Sequence, residues 1–591
     1  VIFQHLNAER LGRAFAPHMD RPAWPGLDDT TVKDRARRVL QSSGEWDALA
    51  KKLAVGEPIP LLRYADFQEY HRTGERAKYA ALFNQRVERT HQAALALWLE
   101  HPAASLDELQ DLLWGWCESR WAFPAHDSMR IELMSSSIGV LLAEYAWLFR
   151  QQLEAPVIQR INRELDERML NVALDWRQQY WWNTAPTNWN LVCNANLIQI
   201  GLYQIHDPYY LASYIHPLAR RMDYAIDYFT ADGGCVEGMG YWEYGFGHFV
   251  KTALVIHHRT GGAINLLEDE HIRRICQFPS AIQIKGEQRA MFCDSTSGYL
   301  QPQTALMVNR LLPMPRLFEL LEPTSDGVPK MNDVRTLSLY ESQTTKPFVD
   351  RSDAFLPDLG YTRLYAGHDV AVTAVAGRND VAHNHNDIGT FTMLIGTTPV
   401  IADPGAPVYN AKTFGPNRYD MLFCRTRGHS LPLINGHEQA AGSQYTGTIA
   451  VSGLNGSDEK IVTMDLSRAY PDPTLKRFIR TLHLSPAGIL RVTDELTFDS
   501  KPASIEEAFI TFEPVVFASD HATATLGQGD AQLHLKASVE GKFSLEEIPP
   551  AQHEGRDPRP LRRVIFTPRQ INPTTRLEFQ LTPVHEQEGQ E

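Results

Sequence analysis

The chain has 591 residues, with 57 Lys+Arg against 71 Asp+Glu and a formal net charge of −14; 43% of its residues are hydrophobic and 22% are charged. This is a globular composition, long enough for roughly two to four domain cores, and it excludes disordered, collagen-like and disulfide-scaffold classes. The acidic balance argues against a sequence-independent nucleic-acid binder, so an anionic polymer could bind only through a locally basic cleft.

No apolar run reaches the ~18–20 residues of a membrane span, so no membrane partner is expected. The longest candidate, Ile138–Leu148, is short and contains Glu144. No leader-type segment is read at the N-terminus. The six cysteines are widely spaced and form no CxxC pair, which makes buried free thiols the expectation and leaves a disulfide open for an exported protein.

Apolar residues recur at helical spacing over 77–100, 104–117 and 129–152, and again over 155–179, 190–205, 208–230, 243–260 and 302–322. Links such as His101-Pro102, Asp207-Pro208 and Asp232-Gly233-Gly234 separate them. Many helices with short links imply a curved helical array or toroid. Thr344–Leu359 reads as a linker. Beyond about 355 the pattern alternates: 361–376 as two strands, 389–403 as strand, turn and strand, then strands at 446–452, 460–466, 474–484, 488–498, 505–513, 531–538, 562–567 and 575–581. The expected fold class is therefore α+β multidomain, with a helical toroid domain over 1–345 followed by an antiparallel β-sandwich over 355–591.

Four stretches carry chemistry beyond plain structure. Thr184–Asn196 places Asn188, Asn190, Asn194 and Asn196 at a helix start, where an amide can cap the helix or point into a cleft. Asp232–His248 mixes glycines with Glu237, Tyr241, Trp242, Glu243 and Tyr244, as either a bent loop under an aromatic helix or a ligand-approach loop. In Gly377–Pro404, an extended chain points His383 and His385 to one face, and with Asp387 and Asp403 they make a metal-ligand inventory or a polar hairpin edge. Arg418–His437 holds Arg418, Arg425, Arg427, His429 and His437, suited to anion recognition or to a solvated edge. A smaller corner, Glu118–His126, offers Arg120, Trp121 and His126 as a sugar- and anion-binding site or as a helix connector.

HNHNDIGTFTMLIGTTPVIADPG followed by RTRGHSLPLING, with TNWNLVCNAN and DGGCVEGMGYWEYG before them, resembles the heparinase II/III-like polysaccharide lyases over most of the chain. The resemblance implies an incomplete (α/α) toroid followed by an antiparallel β-sandwich. It implies cleavage of a uronic-acid polysaccharide or oligosaccharide by β-elimination, and a periplasmic or secreted location. Tyr241 is then the expected base and acid, with Tyr244 as alternate, His383 as partner, and Asn188, then Asn190, as carboxylate neutraliser. Glu237, Arg425, His126, Arg120, Trp189 and Trp242 are the expected substrate contacts. Some relatives have His at this helix start, and its absence here weighs against action on both uronate epimers. The family's structural divalent metal maps to His385, Asp403 and His429, with His437 competing for the third place. Imidazole and carboxylate favour zinc, with manganese or calcium as alternatives, and no organic cofactor is implied. Glycosaminoglycans are favoured over alginate. A hydrolase using Glu237 and Glu243, or a non-catalytic glycan binder, are the competing readings. The positive charge for an anionic substrate is expected from Arg378, His383, Arg418, Arg425 and Arg427.

Overall fold

The computed structural model describes residues 6–53, 55–126, 131–175, 177, 179–367, 369–456 and 458–584. Positions 129–130, 176 and 178 of the expected helices, and His368 in the expected 361–376 turn, lie outside them. The chain divides into two compact units. One comprises residues 1–229, 241–276 and 299–347; the other comprises 230–240, 277–298 and 348–591. The second unit thus takes in two segments from within the helical half of the sequence.

The first unit is helical. Its helices start where side chains satisfy the unpaired N–H groups of the first turn: Ser105 caps Leu106–Cys117, Asp207 caps Pro208–Ile226, and Asp333 caps Val334–Leu339. Neighbouring helices pack in series, and Val334–Leu339 packs back against Thr30–Ser43 and Ala77–Trp98 to close the series. Leu133–Leu148 and Asn188–Gln204 are buried on nearly every face, as befits apolar sequence without a polar stripe. Glu144 explains how the apolar run tolerates a charge: it pairs with Arg335 at 2.7 Å and accepts the Tyr203 hydroxyl at 2.6 Å, both inside the unit. No helix among the described residues is long and apolar enough to cross a membrane. All six cysteines are free and buried.

Two of the expected helices carry a π-turn. The expected helix over 155–179 becomes Ala155–Leu165, a π-turn at Asp166–Leu170 and one last turn. That over 243–260 opens with a π-turn, Trp242–Phe246, before Gly247–Arg259. Helices at Ala8–Phe15, Thr30–Ser43, Glu45–Lys52, Tyr64–Thr73 and Glu270–Ile282 were not expected.

The second unit is built from antiparallel sheets. A five-stranded meander runs Ala354–Leu356, Tyr361–Ala366, Val370–Val375, Phe391–Ile395 and Thr398–Ile401 in spatial order. Its first strand falls inside the expected linker. A nine-stranded sheet has Leu475–Leu484 and Leu490–Phe498 near its centre, and a four-stranded sheet contains Ile505–Thr511 and Leu561–Pro568. Alternate residues of these strands, among them Val372, Met393, Phe478, Val492, Phe509, Val564 and Phe579, fill one continuous apolar core.

Arg480 crosses that core. It is fully buried, paired with Asp494 at 2.6 Å and Glu507 at 2.9 Å, and donates to the Gly389 and Ser430 carbonyls at 3.1 and 2.7 Å. Those carbonyls close the loop holding His383 and His385 and the turn after His429, so this one side chain fastens both to the sheet. Arg480→Met removes the cation and leaves two buried carboxylates. It is expected to cost about 3 kcal/mol, read as a lower urea midpoint.

Candidate active site and metal cluster

In the helical unit, folding brings two motif stretches together. Asn188 is the first residue of Asn188–Gln204, and the π-turn that follows Tyr241 packs on it through Gly245. A Cβ built at Gly245 would lie 3.1 Å from Asn188 Cβ, closer than side chains normally approach. Gly245→Ala is expected to push turn and helix start apart by a few tenths of an ångström and lower kcat about tenfold with the fold kept, checked by steady-state kinetics and circular dichroism. Tyr241 is half-buried in helical backbone at the head of this turn. His126 stands edge-on to Trp189 with ring centroids 4.5 Å apart, and its Nδ1 lies 3.1 Å from Glu132. Trp181, half exposed, also packs on Trp189, with ring centroids 5.1 Å apart, and extends the aromatic surface. The paired tryptophans of 181–182 were its only sequence signal.

Several assignments change on inspection of their neighbours. Trp242 is fully buried with its indole N–H donating to the Ile275 carbonyl at 2.9 Å, so it packs the interior and makes no substrate contact. The Asn190 amide is fully buried and donates to the Asn183 and Arg221 carbonyls, a bracing role that removes it as carboxylate neutraliser. Asn194 and Asn196 likewise bond the Asn190 carbonyl and the Ser136 and Ser137 hydroxyls. Burial pushes the Tyr244 hydroxyl well above its ordinary pKa, which disfavours it as a base. Glu243 accepts the Gln301 backbone N–H at 2.7 Å, at the start of Pro302–Leu311, so the carboxylate pair of the hydrolase reading has one member in a capping role. Arg120 is exposed, with its guanidinium 4.8 Å from the Phe67 ring centre.

The second unit assembles a polar cluster around Asp294. Its segment 230–240 brings Glu237, and its segment 277–298 brings Asp294, to the His383 loop. Gly238 makes this possible: it has φ +86°, and a Cβ there would meet the Ser295 hydroxyl at 2.1 Å. Asp294 Oδ2 lies 2.8 Å from His383 Nδ1 and accepts the Tyr409 hydroxyl at 3.1 Å; Oδ1 lies 3.0 Å from His385 Nε2 and accepts Arg418 at 2.9 Å. Burial opposes its charge, but the two imidazoles and Arg418 outweigh it and hold the carboxyl well below the usual range. His383 takes a left-handed backbone, φ +59°, and its Nε2 is 3.6 Å from Glu237. Neither Asp294 nor Tyr409 carries a motif signal, and only the fold reveals them.

Next to this cluster, ligand atoms of His385, Asp403 and His429 lie within 4.8 Å of one another, all three residues buried. His429 Nδ1 is 2.9 Å from Asp403, and its Nε2 donates to the Phe423 carbonyl at 2.9 Å. Burial disfavours the His429 cation, but Asp403 beside it wins and pushes it up to about 9. His385 Nδ1 and Asp387 Oδ2 are buried with no hydrogen-bond partner among the described residues, as expected for groups arranged about a cation. Two imidazoles and a carboxylate suit a divalent metal of the zinc type. His437 is half exposed beside Asp472 at 3.3 Å and stands outside this group, which leaves His429 in the third place.

The expected basic cleft needs correction. Arg378 pairs with Asp380, Arg418 with Asp294, Arg425 with Glu438 and Arg427 with Glu546. Each guanidinium is neutralised by a nearby carboxylate, so these residues do not form an uncompensated positive patch, and Arg425 is committed to Glu438.

Residues 349–580 match the family described as Heparinase II/III-like, C-terminal. This stretch of the second unit is therefore a heparinase II/III-like C-terminal domain. Solved structures of the same toroid-plus-β-sandwich fold include heparinase III (12% identity, covering 95% of this chain and 93% of that one, TM-score 0.62). They also include a heparinase III gene product (13%, 97% and 93%, TM-score 0.58) and a heparan sulfate lyase mutant from Pedobacter heparinus (13%, 99% and 89%, TM-score 0.58). At these identities the likeness is one of fold. No curated protein sequence matches the chain.

Proposed function

We propose that this protein is a polysaccharide lyase that cleaves glycosaminoglycans of the heparan sulfate type by β-elimination, with Tyr241, Asn188 and His383 as the working groups. The observation that carries the reading is the packing of the Tyr241 turn on the Asn188 helix start through Gly245. A base and a carboxylate-directed amide are the groups this reaction needs first. Elimination removes the C5 proton, α to the uronate carboxylate, and expels the 4-O-linked sugar. The Asn188 amide hydrogen-bonds the carboxylate and so favours the enolate-like charge that builds up as the proton leaves. Tyr241 takes that proton as phenolate. The electron pair forms the C4–C5 double bond, the C4–O bond breaks, and the same phenol returns the proton to the leaving oxygen. His383 acts on the uronate carboxylate. His126, Trp189 and the half-exposed Trp181 offer aromatic surface to a sugar ring.

The neighbouring folds of heparinase III and of a heparan sulfate lyase support the substrate class. We propose zinc at His385, Asp403 and His429, where it would tie three segments of the second unit together. The elimination steps above use protein groups alone. A polymeric uronan also favours a periplasmic or secreted location, readable by cell fractionation. The substrate is tested by initial rates on heparin, heparan sulfate, chondroitin sulfates, hyaluronan and alginate. The highest rate is expected on heparan sulfate, and a highest rate on alginate overturns this substrate assignment.

A further inference from the structure

We infer that Asp294 is the positioning residue for His383, fixing both its ring orientation and which of its nitrogens carries hydrogen. This rests on the role given to His383 above. A carboxylate has only lone pairs to offer, so every group facing Asp294 must donate. His383 therefore presents Nδ1–H to Oδ2 at 2.8 Å, so when the ring holds one hydrogen the lone pair falls on Nε2, which is directed away from Asp294 and lies 3.6 Å from the Glu237 carboxylate, beyond hydrogen-bond distance. His385 presents Nε2–H to Oδ1 at 3.0 Å, which leaves the lone pair on Nδ1, the buried atom without a hydrogen-bond partner among the described residues. One carboxylate thus sets both rings: His383 with Nε2 turned outward, and His385 with Nδ1 available as a ligand atom.

The carboxylate is itself well fixed. Tyr409 adds a second donor on Oδ2, and Arg418 adds one on Oδ1 while also holding the Asn384 and Thr413 carbonyls. The Asp294 side chain is fully buried. Its own segment is anchored within the same unit, because Cys293 Sγ donates to the Val236 carbonyl and the Ala406 N–H donates to the Ser295 carbonyl. Four donors converging on one buried carboxylate, two from the His383 loop and one each from Tyr409 and Arg418, is more than a surface ion pair needs. The left-handed backbone of His383, φ +59°, further shows that the ring is held where the loop alone would not favour it.

Asp294→Asn isolates the effect. Its oxygen can stay with His385 and Arg418, because turning the amide nitrogen toward them would oppose donor to donor. The amide nitrogen then faces Tyr409, whose hydroxyl can turn to accept, and His383 Nδ1, which must now accept. The His383 hydrogen is forced onto Nε2.

Two measurements test this. Nitrogen NMR of the histidine rings in the whole protein, with His383 identified by the signal lost in His383→Ala, should show the neutral ring protonated at Nδ1; a ring protonated at Nε2 in the wild type overturns the inference whether or not any variant folds. In kinetics on heparan sulfate, Asp294→Asn should lower kcat at least about tenfold with KM within about threefold, and should leave the residual rate of His383→Ala unchanged. An equal loss in both backgrounds, or no loss in the wild type, overturns it. Where His383→Ala leaves no measurable rate, the NMR result decides. If His383→Ala keeps wild-type activity, it is the role of His383 that fails, while the NMR result still judges Asp294.

Discussion

Tyr241→Phe is expected to lower kcat on heparan sulfate on the order of 10³-fold or more while KM moves little, because the proposed role makes one hydroxyl both base and acid. The substitution removes a single oxygen from a half-buried side chain and keeps the ring, so packing at the head of the π-turn is preserved. Uniform loss of binding would raise KM; loss of proton transfer appears in kcat alone. Tyr244→Phe is the internal control. Its hydroxyl is buried without a hydrogen-bond partner among the described residues and its pKa is raised by burial, so removing it should change kcat less than about tenfold. Steady-state rates of the two variants, with circular dichroism to confirm folding, check the pair. Full elimination activity in Tyr241→Phe would remove Tyr241 as the base.

Chelation of the wild-type protein is expected to lower its melting midpoint by about 10 °C, and His385→Ala should reproduce the fall and abolish the response to chelator. The cluster joins His385, Asp403 and His429 from three different segments of the second unit. Removing the cation leaves Asp403 and Asp387 buried near one another with less positive charge between them. A proton on His429, already favoured by Asp403, replaces part of that charge, so a substantial but incomplete loss is expected rather than complete unfolding. Differential scanning calorimetry with and without chelator, followed by add-back of zinc, manganese or calcium, reads the effect and identifies the ion. A midpoint unmoved by chelation in a protein shown to contain metal would contradict a structural ion at this cluster.

Much of this architecture was legible from periodicity. The helix over Ala77–Trp98 and the strands over Leu475–Leu484 and Leu490–Phe498 have regular apolar spacing, and they form where that spacing places them. The strands Val515–Phe517, Thr523–Gln528 and Gly541–Ile548 escaped because they are short or partly exposed, so burial leaves a weaker pattern. The N-terminal helices escaped for a related reason: Thr30–Ser43 buries only Val32, Ala36 and Leu40 in fourteen residues. At the site, histidines and asparagines announced themselves by type, but type does not reveal partners. Asn190 and Trp242 lie in the right stretches yet are consumed by backbone carbonyls. The arginines read as free positive charge are each matched by a carboxylate, as near in sequence as Asp380 for Arg378 and as distant as Glu546 for Arg427. Asp294 lies in a plain stretch between Cys293 and Ser295, and only the return of that segment to the His383 loop gives it meaning.

Elimination is separated from hydrolysis by counting two products of the same digest. New reducing ends and ultraviolet absorbance from the unsaturated uronate are followed together on heparan sulfate. Elimination gives one unsaturated uronate for every new reducing end from the first turnover onward; reducing ends that accumulate without that absorbance would contradict it and make the protein a hydrolase.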